Sequence, residues 1–380
     1  MKKQLLSNEK KIKTGLMYSD IFAKYIVSNG YLVPSSNENS WITPNDYYDT
    51  PERVTEAYNL LEKTSLLKEL IPITPRNATK EELLESHSEK YLNKLEELSK
   101  SEGGSVGELA YIGHNGFNII SNAVGGDLEA FDAIMTGQIN NAFCLQRPPG
   151  AHAEKEKGFG FCIVNNFNII TKIARKKYGL KKILIIDFDN HYKKGIEEAW
   201  YDTDEVMYAE IHQNGALAKN SPADRNADYI GEGKGKGYNI VIPMPSGAGD
   251  EAYIKAFEEI IIPIADQYEP ELVIVVAGFA SNIFDPLCRQ QLTVNGYGRL
   301  MELINNIAKK HASGKLLAIL EGGKGNYMSF CIAKTISVLS EVNTDIPDIT
   351  EKFIVRNHIT YDQKQAIENV KKYLSPYWKL

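Results

Sequence analysis

The sequence predicts a three-layer α/β/α fold around a mostly parallel central sheet. Three observations carry that expectation. From residue 142 onward, short apolar runs alternate with longer helical patterns, the order that builds parallel sheets covered by helices. The runs at 183–186, 272–277 and 316–320 are continuously apolar, which is how strands buried on both faces read. Each of these runs ends in polar or glycine-rich residues, and in open α/β sheets the carboxyl edge is where sites are built.

In chain order, residues 14–26 read as a first strand and a short helix. Residues 28–50 are rich in Asn, Ser, Pro and Tyr and read as a long loop. Thr50 is the expected N-cap of the next helix, with Pro51 at its first position. Residues 80–100 read as one helix, with Thr79 and Glu82 at capping-box spacing. The glycine-rich stretch 101–107 reads as a flexible connection, and 118–135 as a helix interrupted by Gly125-Gly126. Strands are expected at 142–146, 183–189 and 206–212, and over the apolar runs at 272–277 and 316–320. The helix at 166–177 ends in a basic turn that suits its dipole. Further helices fall near 251–267, 296–311 and 326–341, and residues 361–380 read as a surface helix and tail. There is no repeat and no linker, so residues 1–380 are read as one domain.

The composition is that of a soluble globular chain, with 43% hydrophobic and 24% charged residues. A net charge of −6 gives no basic footprint for nucleic acid. No stretch approaches the roughly 18 apolar residues of a membrane span. The N-terminus from Met1 to Leu6 is basic but lacks the apolar core of a signal peptide. Cys144, Cys162, Cys288 and Cys331 show no paired spacing, and buried thiols in a reducing cytoplasm are the expected state. No signal specifies an oligomeric state.

The chemistry concentrates in Asp187-Phe188-Asp189-Asn190-His191. At strand period Asp187, Asp189 and His191 share one face. Carboxylate and imidazole in that pattern suit zinc or a similar divalent ion. They equally suit a strand-end network in which the carboxylates cap backbone amides. By topology, His212, residues 278–280 and residues 321–324 fall in the same crevice. The rigid run Arg147-Pro148-Pro149-Gly150-Ala151-His152 follows a strand to the same edge.

These segments together resemble the histone deacetylase and acetylpolyamine amidohydrolase family, which has the arginase/deacetylase-like fold. Arg147–Ala153 is similar to the family's RPPGHHA loop, and Gly158–Cys162 with Asn165-Asn166 to its GFCxFNN segment. Asp187–His191 matches Asp-x-Asp-x-His, and Glu210–Gln213 stands where the family has a strand ending in S-x-H. Ala277–Ala280 with Asp285-Pro286-Leu287 is similar to AGFDxxxxDPL, and Glu321-Gly322-Gly323 to EGGY. Thr50-Pro51-Glu52-Arg53 resembles HPER. The likeness runs over roughly residues 14–340, in the family's order.

What the resemblance implies for the site is mixed. The family's zinc is held by the residues matching Asp189 and His191 and by a second Asp, which here is Ala280. Of its tandem histidines the first is Ala151 and only His152 remains. Its carbonyl-polarising tyrosine is Lys324, and the residues after the Asp-x-Asp-x-His motif are altered at Tyr192 and Lys194. The expected catalytic candidates are therefore His152, Lys324, Asp189 and His191. Phe161, Gly160, Phe279, His212, Tyr192, Gly322 and Gly323 are the expected pocket. Asp189 and His191 form an incomplete divalent site, so no stoichiometric metal is expected unless Asp285, Glu210 or another group substitutes as third ligand. Asp187 and Glu210 are candidates for a structural potassium ion. The Lys324 ammonium is expected to replace the ion's charge by pairing with Asp189 or Glu210. Three functions stand at this stage. One is a metal-independent enzyme of altered chemistry acting on an acylated amine or related small molecule or peptide. The others are a catalytically inactive binding or scaffold protein, and a zinc deacetylase with a substitute ligand. In each case the ligand occupies the strand-end crevice.

Overall fold

The computed structural model describes residues 12–27, 47–215, 225–353 and 358–380. The N-terminal stretch 1–6 and most of the loop expected at 28–50 lie outside the described residues. In chain order the strands are β1 Thr14–Met17, β2 Ile71–Ile73, β3 Gly104–Glu108, β4 Ala110–Ile112, β5 Asn141–Cys144 and β6 Gly158–Phe159. They continue with β7 Ile183–Asp187, β8 Val206–Gln213, β9 Asn239–Met244, β10 Leu272–Ala277 and β11 Leu316–Leu320. Among the described residues, eight of them form one sheet in the order β2-β1-β5-β11-β10-β7-β8-β9, and every pairing is parallel. β10 and β7 lie inside it, and each of their residues is buried. The aliphatic runs are the reason: helices cover both faces, and no polar side chain is tolerated until the strand ends. Register sets Asp187 directly across from Val276 on one side and Glu210 on the other.

Several elements differ from the sequence reading. The first long helix is Glu52–Lys63 with Pro51 at its N-cap, one residue later than expected. The predicted 80–100 helix is two, Lys80–Leu84 and Glu89–Lys100. The first keeps the Thr79–Glu82 capping box, and Ser88 caps the second after a turn that buries His87. The stretch 101–107 contains β3, so it is not a flexible connection. Its glycines serve close backbone approach: a Cβ on Gly107 would stand 1.8 Å from the Gly158 carbonyl oxygen. Helix Gly116–Met135 runs unbroken through Gly125-Gly126, and Gly125 serves close packing there: a Cβ on it would stand 2.1 Å from the Arg76 carbonyl oxygen. The C-terminal helix Tyr361–Leu374 is more than a surface element. It buries Ile367, Val370 and Leu374 and packs against the edge strand β9.

The small sheet β4-β3-β6 matters for the site. It brings the Gly160-Phe161 turn to the carboxyl edge of the main sheet, with Gly160 and Phe161 donating their N–H groups to the carbonyls of Glu108 and Leu109 at 3.0 Å each.

Candidate ligand pocket

A cavity of ≈ 380 Å³ opens at the carboxyl edge of the main sheet. Its floor includes Asp189, His191, Lys193, Ala280, Glu321 and Gly322, with His152 and Cys162 beside them. Phe159, Gly160, Phe161, Tyr48 and Leu287 form walls, and Glu108 and Leu109 stand with them. The Tyr48 and Phe161 rings stack with centroids 5.1 Å apart. Phe161 holds a left-handed φ of 72° to present its ring there.

Asp189 is the centre of the floor. Gly278 and Gly322 clasp it: a Cβ on Gly278 would lie 2.3 Å from the Asp189 Cβ, and one on Gly322 would lie 2.5 Å from its Oδ2. The Ala280 N–H donates to Asp189 Oδ1 at 3.3 Å. The Lys193 ammonium forms an ion pair with Asp189 Oδ2 and donates to the His191 carbonyl oxygen at 2.7 Å. Both side chains are buried. Burial works against the charge on each, but the pair outweighs it. Asp189 is held below the usual carboxylate range by Lys193. Lys193 is held above the usual ammonium range by Asp189 and Asp187.

Lys193 is absent from the residues expected at the site. The expectation that Lys324 would pair with Asp189 or Glu210 is not met. The Lys324 ammonium donates to the Tyr47 carbonyl oxygen at 3.1 Å, and its backbone N–H donates to Asp285 Oδ2 at 2.8 Å. That backbone anchor turns the side chain away from the floor. Lys193 reaches the floor because β7 ends at Asp187 and the chain turns to start helix Lys194–Trp200, with Lys193 at its N-cap. The signal available in the sequence is the four-residue spacing between Asp189 and Lys193. Lys194, its neighbour, points elsewhere and pairs with Glu154 and Glu198.

The other expected residues divide into two groups. His152, His191, Gly160, Phe161 and Gly322 line the cavity with Asp189. Phe279, His212, Tyr192 and Gly323 are not part of its lining. Phe279 packs behind the floor against Phe188 and Tyr297, and Tyr192 packs edge-on against His212. The Gly323 N–H donates to the Tyr48 hydroxyl at 3.1 Å, which itself donates to Asp285 Oδ2 at 2.6 Å. Burial pushes His191 down to about 4 and His152 well below its ordinary value, so both imidazoles are neutral. His152 Nδ1 is sealed in the protein without a hydrogen-bond partner.

Two further groups lie in stretches matched to family motifs but are absent from the residues expected at the site. Glu321 receives the N–H groups of Gly150 at 2.8 Å and Ala151 at 3.2 Å, and burial pushes its carboxyl up to about 8. Arg53 is buried against Asp49 and donates to the Gly323 carbonyl at 2.7 Å.

A catalytic zinc takes three protein ligands and an open position. Here the third position is Ala280 and an ammonium sits on the remaining carboxylate, so the residues present do not fit that ion. Among the described residues no group of three or more His, Cys, Asp or Glu side chains is placed to hold a metal. Asp285 is occupied by Tyr48, Leu287 and Lys324. The Asp187 oxygens accept from the Asp189 N–H at 2.8 Å and the Tyr208 hydroxyl at 2.9 Å. Glu210 is engaged with His212 Nδ1 at 2.9 Å. Both carboxylates expected to serve potassium therefore already have protein donors.

Comparison with known proteins decides the family. A model described as the histone deacetylase domain matches residues 47–339. This chain belongs to the histone deacetylase family. It is 31% identical over 318 residues to a histone deacetylase-like amidohydrolase of Pseudomonas aeruginosa, covering 83% of each chain. It is 33% identical over 320 residues to a probable deacetylase of Archaeoglobus fulgidus, covering 82% of this chain and 87% of that one. The crystal structure of the HDA15 HD domain superposes with a TM-score of 0.83 at 26% identity, covering 97% of this chain and 96% of that one. The histone deacetylase fold and its strand-end crevice are thus present, and the Lys193–Asp189 pair lies in that crevice.

Proposed function

We propose that this histone deacetylase family member works without zinc. Its crevice holds an acylated amine, or a related small molecule or peptide, and does not hydrolyse it. The observation that carries this reading is the Lys193–Asp189 ion pair. The carboxylate that would serve a divalent ion is neutralised by an internal ammonium, and a cation at that point opposes a second one. Ala280 offers no replacement donor. The names of the relatives, an amidohydrolase and a deacetylase, support acylated amines as the ligand class.

The same geometry weighs against an enzyme of altered chemistry. A nucleophilic lysine needs a depressed pKa, whereas Lys193 is held charged by Asp189. Lys324 is directed to the Tyr47 carbonyl. A zinc deacetylase with a substitute ligand is disfavoured by the engagement of Asp285 and Glu210 with other groups. No helix among the described residues is long and apolar enough to cross a membrane. All four cysteines are buried and unpaired, which supports a reducing, cytoplasmic setting.

The test is a turnover and binding pair on one sample. An acetyl-lysine reporter peptide is expected to raise the melting temperature while its hydrolysis stays at background, with or without added zinc. Zinc-stimulated hydrolysis abolished by His191→Ala contradicts the proposal.

A further inference from the structure

Resting on the metal-free reading above, we infer that the pocket floor is a hydrogen-bond donor set for the carbonyl oxygen of an uncharged acyl group. In it His152 carries its proton on Nε2 and acts as a donor, with Lys193 as its partner.

A neutral imidazole has one N–H and one bare nitrogen, and the hydrogen bond made by one nitrogen sets the tautomer at the other. His152 is 7% exposed and lines the cavity. Its Nδ1 has no acceptor. A histidine that works as a base at Nε2 needs Nδ1–H held by an acceptor. Here that arrangement would seal an unpaired N–H in the protein, and orphaned buried N–H groups are the rarer and costlier kind. Moving the proton to Nε2 places it on the ring nitrogen beside Gly160, which lines the cavity with His152.

Lys193 supplies the second donor. An ammonium has three N–H groups, and among the described residues its acceptors are Asp189 Oδ2 and the His191 carbonyl. Lys193 lines the cavity, so the third N–H is available to a ligand. The carboxylates of the floor are already engaged: Asp189 by Lys193 and the Ala280 N–H, and Glu321 by the Gly150 and Ala151 N–H groups. A floor with spare donors, occupied carboxylates and a fixed Lys193 ammonium selects an oxygen acceptor and opposes a second cation.

Charge decides which oxygen. Lys193 already balances Asp189, so a carboxylate entering the floor would add a buried negative charge without a partner. An amide carbonyl fills the same donors at no charge cost. The pocket therefore retains an intact acylated amine and discriminates against both of its hydrolysis products. The aromatic wall of Tyr48 and Phe161 takes the alkyl chain.

The experiment uses the full chain, three probes and one spectrum. N-butylacetamide, acetate and butylamine are titrated by calorimetry or by chemical-shift change. The tautomer is read from the ¹⁵N shifts of His152, assigned by difference from His152→Phe. The expected result is a protonated Nε2 and a bare Nδ1, with the amide binding at least about tenfold tighter than either product, the worth of one hydrogen bond. His152→Phe should lose about tenfold in amide affinity, and His152→Gln, which keeps an N–H donor, should retain most of it. The double variant Lys193→Met/Asp189→Asn removes the second donor without leaving a lone charge, and should also weaken the amide. A proton on Nδ1, or acetate bound as tightly as the amide, overturns the inference. Metal content measured on the same sample keeps the two readings apart. Zinc-free protein that prefers acetate contradicts the donor floor alone, whereas stoichiometric zinc contradicts the metal-free pocket.

Discussion

The ammonium of Lys193 rests on Oδ2 of Asp189, four residues earlier in the chain, and both side chains are buried. Removing one partner of a buried pair leaves the other uncompensated, which costs about 3–5 kcal/mol. Lys193→Met should therefore destabilise strongly. Lys193→Met/Asp189→Asn should recover much of the loss, because the two changes act on one charge site. The pH dependence carries a sign from each partner. Asp189 is depressed, so its contribution is present above the usual carboxylate range and lost as pH falls through the lowered value. Lys193 is raised, so its contribution is present below the usual lysine range and lost as pH rises through the raised value. The stability gap between wild type and the double variant should be flat near neutrality and change at both extremes. Urea unfolding across pH measures it, and a neutral Lys193→Met contradicts the pairing.

Gly278 and Gly322 should be intolerant of even a methyl group. Both meet Asp189 within 2.5 Å of an added Cβ, and overpacking of this kind costs about 1–3 kcal/mol or more. Gly278→Ala and Gly322→Ala should lower the melting temperature. Gly137→Ala, at a turn with nothing within 4 Å, reports the cost of its left-handed backbone alone.

Asp127 offers a titration outside the pocket lining. It is fully buried, accepts from Asn166 Nδ2 at 2.7 Å, and burial pushes its carboxyl up to about 7. The folded state then holds a proton that the unfolded state releases near pH 3.8, so stability falls as pH rises from about 4 to 7. Asp127→Asn should match wild type near pH 4 and exceed it at pH 8 by a few kcal/mol, since each tenfold change in proton affinity is worth about 1.4 kcal/mol. Equal stability at pH 8 counts against a protonated Asp127.

Restoration of a metal site should depend on Lys193. By the family's pattern, Ala280→Asp would supply a third ligand, Ala151→His a tandem histidine, and Lys324→Tyr a carbonyl-polarising hydroxyl. With Lys193 still on Asp189, that triple variant should bind zinc weakly. Adding Lys193→Gly should raise zinc affinity by at least about tenfold, since it frees the carboxylate and removes an opposing cation. Equal affinity with and without the fourth change shows that Lys193 does not occupy the site.

Much of this arrangement is legible in the sequence because its signals are local. The aliphatic run into Asp187, Asp189 and His191 specifies a buried strand and its polar end. The Thr79–Glu82 spacing specifies a capping box. The rest depends on contacts distant in sequence or on how the chain leaves an element. Lys193 beside Lys194 reads as a solvated turn until the turn is seen to aim one ammonium inward and the other at Glu154 and Glu198. Analogy of position alone puts Lys324 on the floor. The Asp285 carboxylate, 39 residues away, binds its backbone and redirects it. Gly107 in β3 suggests flexibility, yet its purpose is backbone approach to a strand that follows some fifty residues later.

On the proposed reading, the Lys193 ammonium on Asp189 takes the place of a catalytic metal. Elemental analysis of the full chain, purified without chelator and dialysed against zinc, tests this most directly. Zinc far below one equivalent per chain, unchanged in His191→Ala, is the expected result. About one zinc per chain, lost in His191→Ala, would contradict it.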